Sequence, residues 1–107
     1  ALREESFLQE ILNLIEEPEE YKLGINYLKE GDIEQALREF KSKSFSSFFN
    51  FGLLYWFIRD YSKAVSAFQE AFNKSSSGPD KTKIKFFYFQ SLFYLYPRLW
   101  RRARRIF

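Results

Sequence analysis

The feature that most constrains this chain is that it repeats itself. Leu23-Gly24-x-x-Tyr27 is followed by Ala36, nine residues beyond the tyrosine, and by Phe40 four further on. Phe51-Gly52-x-x-Tyr55 is followed at the same distances by Ala64 and Phe68, with Ala71 three later. The two glycines stand 28 residues apart. A weaker third copy reads Ser91-x-x-Tyr94, then Ala103 and Phe107. Small residues at fixed spacing let two helices approach closely, and the rings fill the gaps beside them. One helix pair leaves an apolar face uncovered, so such units must stack to close a core. Ser77-Gly78-Pro79 falls in the longer second interval, where a loop insertion belongs.

These residues resemble the tetratricopeptide repeat signature, over about residues 18–107. The family period is about 34 residues; the first interval here is shorter and the second longer. Lys43 stands at the last small position of the first copy, and Gln90-Ser91 replace Leu-Gly in the third. The resemblance implies an all-α fold of antiparallel helix pairs, a tetratricopeptide-like α-solenoid. An N-terminal amphipathic helix over 1–17 then precedes a repeat domain over 18–107.

The punctuation predicts about seven helices. Leu8, Ile11, Leu12 and Ile15 follow a helical period, giving a helix over 2–16 that Pro18 ends. Pro18 suits the first turn of the next helix, which Gly31 stops. Asp32 is placed to cap a helix over 33–42, and Ser44 or Ser47 one over about 46–58. Arg59-Asp60 makes the next turn, before a helix over 61–74. After a loop over 75–80, 81–96 and 97–107 read as a final pair, with Pro97 in a first turn.

Composition narrows the function. The chain contains neither Cys nor His, which removes thiol nucleophiles, imidazole bases and the usual zinc ligands. Glu16, Glu17, Glu19 and Glu20 lack the alternating ligands and central Gly of a calcium loop and read as a solvated acidic turn. No phosphate-binding Gly loop or nucleophile elbow occurs, so the chain is expected to be no enzyme and to need no cofactor. The stretches Phe51 to Ile58 and Phe86 to Tyr96 are shorter than the roughly 20 apolar residues of a membrane span. The N-terminus lacks a targeting pattern and does not begin with Met, so the chain reads as a piece of a longer one; localisation stays open. Residues 1–40 carry eleven acidic and four basic side chains, and residues 41–107 three and thirteen. Such a dipole can steer a charged partner or favour head-to-tail association.

Fourteen Phe, seven Tyr and two Trp exceed what a small core ordinarily uses. The surplus fits either Phe standing where Leu would serve or an exposed aromatic surface. In the tetratricopeptide family the first helix of each pair lines a concave face. By position, the resemblance assigns that face here to Tyr21, Ile25, Leu28, Lys29, Phe49, Asn50, Leu53, Trp56, Phe57, Lys85, Tyr88, Leu92, Leu95 and Tyr96. Members that grip a partner's terminal carboxylate use several Lys and Asn there; Asn50 and Lys85 match, but Tyr21, Ile25 and Phe89 replace the others. An aromatic groove for a protein or peptide partner is therefore expected, with intramolecular core, or plugging by the N-terminal helix, as the plainer reading. Trp100 and Phe107 sit in a basic terminal stretch with no polar capping helix beyond, a site for a partner or for self-association. The alternative reading is a basic, aromatic surface for anionic membrane or nucleic acid.

Overall fold

A computed structural model describes residues 2–41, 44–76 and 78–96. Among them are six helices and no strand: α1 (Leu2–Leu14), α2 (Lys22–Lys29), α3 (Ile33–Glu39), α4 (Phe45–Phe57), α5 (Tyr61–Lys74) and α6 (Gly78–Leu95). The fold is all-α. The helix expected over 97–107, with Trp100 and Phe107, lies outside the described residues.

The 28-residue repeat is visible in the backbone. After α2, Gly31 N–H donates to Leu28 O and Asp32 N–H to Tyr27 O; after α4, Arg59 N–H donates to Trp56 O and Asp60 N–H to Tyr55 O. This paired closure satisfies carbonyls that a helix end would otherwise leave free. It requires a left-handed residue, and Gly31 (φ 85°) and Arg59 (φ 66°) both supply one. The aspartate that follows then caps the next helix: Asp32 Oδ1 accepts from Gln35 N–H at 3.2 Å, and Asp60 Oδ1 from Lys63 N–H at 3.3 Å. Each turn thus ends one helix and starts its partner within three residues.

Packing repeats with the same offset. A Cβ built on Gly24 would lie 2.9 Å from Phe40 Cε1; on Gly52 it would lie 2.5 and 2.7 Å from Phe68 Cδ1 and Cζ, and nearer still to Cε1. Both phenylalanines are fully buried. Tyr55 meets Lys63 near the turn and Gly52 meets Phe68 further from it, so α4 and α5 run antiparallel. Phe68 stacks on Phe87, Tyr61 on Tyr94, and Lys81 lies over Phe72, which sets α6 antiparallel to α5. The first pair joins the second where Ser47 Oγ donates to Phe40 O. One core results, running from Ile11 and Ile15 through Phe40, Phe49, Leu53 and Phe68 to Ile84 and Phe87.

Several boundaries depart from the sequence reading: α1 ends at Leu14, short of 16, and α3 at Glu39, short of 42. α2 begins at Lys22, not at Pro18; the stretch between holds two turns closed by Glu20 N–H to Glu17 O and Tyr21 N–H to Pro18 O. Glu17 has a left-handed φ of 51°, which a helix cannot continue through. α6 begins earlier than expected, at Gly78, so that Pro79 occupies a first turn, where its missing N–H costs nothing. Ser44 takes the N-cap position of α4 without a side-chain capping bond.

Two tests follow from this geometry. Gly52→Ala gains about 1 kcal/mol of helix propensity, yet the added methyl collides with a ring wedged between Phe49 and Phe87. A net loss of about 1–3 kcal/mol in denaturant unfolding is expected, larger than for Gly24→Ala, where the approach is looser. At the turns the signs oppose: Arg59→Gly relieves a left-handed side chain and raises stability by about 1 kcal/mol, and Gly31→Ala lowers it by a similar amount. Thermal unfolding of the pair checks both.

Candidate partner-binding surfaces

α1 lies antiparallel across the face of α4 that the sequence assigns to a partner. Near one end Phe7 packs on Trp56 and Phe57, with ring centroids 5.2 and 5.5 Å apart. At the other end the chain leaves α1 and is held by polar groups. Asn50, fully buried, uses both halves of its amide on one residue: Oδ1 accepts from Glu16 N–H at 2.9 Å, and Nδ2 donates to Glu16 O at 3.1 Å. Buried Ser46 donates to Glu17 Oε2 at 3.0 Å. From α6, Lys83 Nζ pairs with the Glu16 carboxylate while lying 4.9 Å from the centre of the Phe49 ring. Partial burial lowers the Lys83 ammonium below its ordinary pKa.

Several of the residues expected to line the partner groove are therefore core. Tyr21 packs edge-on against Phe40, Phe49 against Phe68 and Phe87, and Leu28 and Leu53 are buried among them. Asn50 is occupied by Glu16. Trp56 and Phe57 are half-buried beneath Phe7, and Trp56 also meets Phe87. Ile25 and Tyr88 pack against the core from its margin, and Leu92 and Leu95 are half-buried. Lys29, Lys85 and Tyr96 are exposed. The physical reason is that an apolar face of α4 gains more by burial under α1 and α6 than by remaining in water.

A second surface lies across α5 and α6. Gln69, Phe72, Asn73, Ile84, Lys85, Tyr88 and Phe89 line a cavity of about 290 Å³. Beside it Phe86 and Phe89 stand 57% and 48% exposed, flanking an opening that Gln90 and Phe93 complete. The ammonium groups of Lys81 and Lys85 sit 4.9 and 5.6 Å from the Phe72 ring centre, so an apolar floor carries a basic rim. Of these residues, sequence reasoning placed Lys85 and Tyr88 on the binding face and Phe89 at one of its carboxylate-grip positions. The repeat register cannot find the others, because α6 carries rings around its whole circumference. Glu16, Ser46 and Lys83 were equally out of reach, since their partners are remote in sequence.

No protein-family model, curated protein or solved structure matches the chain. No described helix is long and apolar enough to cross a membrane.

The Asn50 arrangement can be tested directly. Asn50→Ala leaves the Glu16 N–H and C=O without their partners, and a loss of about 1–3 kcal/mol is expected. Hydrogen exchange at the Glu16 amide should accelerate at least about tenfold, the factor that corresponds to about 1.4 kcal/mol. An unchanged exchange rate would show that Asn50 does not hold this turn.

Proposed function

We propose that the chain is a non-catalytic protein–protein interaction module of tetratricopeptide-like helix pairs, binding through the aromatic surface of α5 and α6. The observation that carries this reading is the exposure of Phe86 and Phe89 beside a cavity floored by Phe72 and Ile84. Contiguous exposed rings are costly in water and are characteristic of interaction sites. The rim of Lys81 and Lys85 selects the chemistry of the partner: an apolar helix or extended segment flanked by acidic residues. This moves the expected groove from the inner face of α4 to the outer side of the α5–α6 pair. Lys85 and Tyr88 keep the role the sequence assigns them; Trp100 and Phe107 lie outside the described residues.

Peptide display against the full chain tests the proposal. Enriched sequences should carry spaced apolar anchors with acidic neighbours, and Phe86→Ser with Phe89→Ser should weaken their binding at least about tenfold, the loss of roughly one buried anchor. Because both rings are exposed, the melting temperature should stay almost unchanged. Failure to enrich peptides, or equal binding by the double variant, would remove the module reading. Steeply salt-dependent binding of RNA or anionic vesicles in its place would favour the basic-surface alternative.

A further inference from the structure

The two ends of the described helix array are unlike. α2 packs on α3, α3 meets α4, α4 packs on α5 and α5 on α6, so the α2–α3 pair closes one end and α6 the other. Leu23 and Phe51 are equivalent positions of the repeat, each preceding its glycine. Phe51 is packed against the core, whereas Leu23 is 52% exposed, alone among the large apolar residues described before α4. The difference follows from place in the array: α4 has a helix pair before it and α2 has none, because α1 lies across α4 instead. Glu19 and Glu20, both exposed, stand just before Leu23 in the chain. Glu19 is held only by Lys22, in a largely solvated ion pair of 2.9 Å that exchanges at little cost. This end is thus an apolar anchor beside acids. The other end is its counterpart, an apolar cavity beside lysines: Phe72 and Ile84 line about 290 Å³, with Lys81 and Lys85 over the Phe72 ring.

We infer that the partner taken by the α5–α6 surface is a second copy of this chain, docked head to tail, with Leu23 of one copy in the cavity of the next and Glu19 and Glu20 facing its Lys81 and Lys85. The inference rests on the interaction-module reading and names the partner of that same site. An apolar segment flanked by acids is the chemistry the site selects, and the chain carries one on the surface at its opposite end. Charge sets the orientation. Residues 1–40 hold eleven acidic and four basic side chains and residues 41–107 three and thirteen, so head-to-tail contact sets opposite charges together. Pairing like ends would oppose acid to acid or lysine to lysine. The contact also covers Leu23, Phe86 and Phe89, three exposed apolar side chains, in one step. It joins two different surfaces, so each added copy presents the same free pair and growth continues beyond two.

Sedimentation equilibrium of the full chain at low salt tests this, with concentration raised to about 1 mM, the range in which contacts this small are populated. The average mass of wild type should climb past that of a dimer and fall again as salt is added. Leu23→Ser, and separately Phe86→Ser with Phe89→Ser, should each weaken association at least about tenfold. Each of these variants keeps one working surface, so an equimolar mixture should form pairs and stop at two. A strictly monomeric wild type, a dimer that grows no further, or variants that do not recombine on mixing would overturn the inference. Should Leu23→Ser fail to fold, Glu20→Lys keeps the apolar contact; it must weaken assembly at low salt and recover when mixed with Lys85→Glu. Peptide display repeated on the Leu23→Ser chain, whose α5–α6 surface is then unoccupied, separates this inference from the reading it rests on. Peptides enriched there while wild type stays monomeric would strike the self-assembly and leave the interaction module standing.

Discussion

The structure depends on one contact made twice: a phenylalanine ring laid on a glycine of the preceding helix. Phe40 on Gly24 and Phe68 on Gly52 bring the paired helices closer than any side chain would permit. Close approach removes both rings from water completely, and a fully buried Phe contributes about 1.5–3 kcal/mol. The consequences propagate outward. Phe68, fixed on Gly52, presents its other side to Phe49 and Phe87, and those rings position α6. Phe40, fixed on Gly24, presents its edge to Tyr21 and its carbonyl to Ser47, which joins the two pairs.

What was legible in the sequence follows from this. Gly, Tyr, Ala and Phe at equal spacing announce helix pairs, because those residues make the contact and few others can. The Asp32 and Asp60 caps were readable for the same reason, since their role is local. The position of α1 was not. Its periodicity marks an apolar stripe but not the helix that will cover it, and Asn50 bonds a residue 34 positions away. Of the residues assigned to a concave face, Tyr21, Leu28, Phe49, Asn50 and Leu53 are buried, while Lys29, Lys85 and Tyr96 are exposed. In a short array a helix that precedes the first pair can reach the inner face of the second, and apolar burial rewards it for doing so.

The aromatic surplus resolves along the same lines. Phe40, Phe49, Phe68 and Phe87 form the core of the described helices, so much of the excess is Phe doing what Leu does elsewhere. The rest concentrates on α6. Ile84 and Phe87 face inward, while Phe86, Phe89 and Tyr94 stand about half-exposed on other sides of the same helix. A helix apolar on all sides belongs in an interior, and α6 has a neighbour on one side only among the described helices. Its outer rings thus stay about half-exposed, whereas Phe49, Leu53 and Leu54 of α4 are buried.

Charge supplies the remaining step. The acidic residues 1–40 and basic residues 41–107 look, as a sequence, like a device for attracting something else. Inside the fold part of that attraction is already used: Glu16 reaches Lys83 across 67 positions and brings the acidic turn onto the basic half. An ion pair at this depth gains from reduced dielectric but must also offset desolvation, which is the influence visible at Lys83. Its value lies less in net stability than in specifying where the turn sits. Hydrophobic burial of Ile11 and Ile15 would tolerate several placements of α1, while a bidentate amide, a hydroxyl and an ammonium group tolerate one. Lys81 and Lys85 lie instead over the Phe72 ring, beside the open cavity. The same excess of positive charge therefore acts inward to fix the acidic turn and, under the proposed function, outward to select an acidic partner.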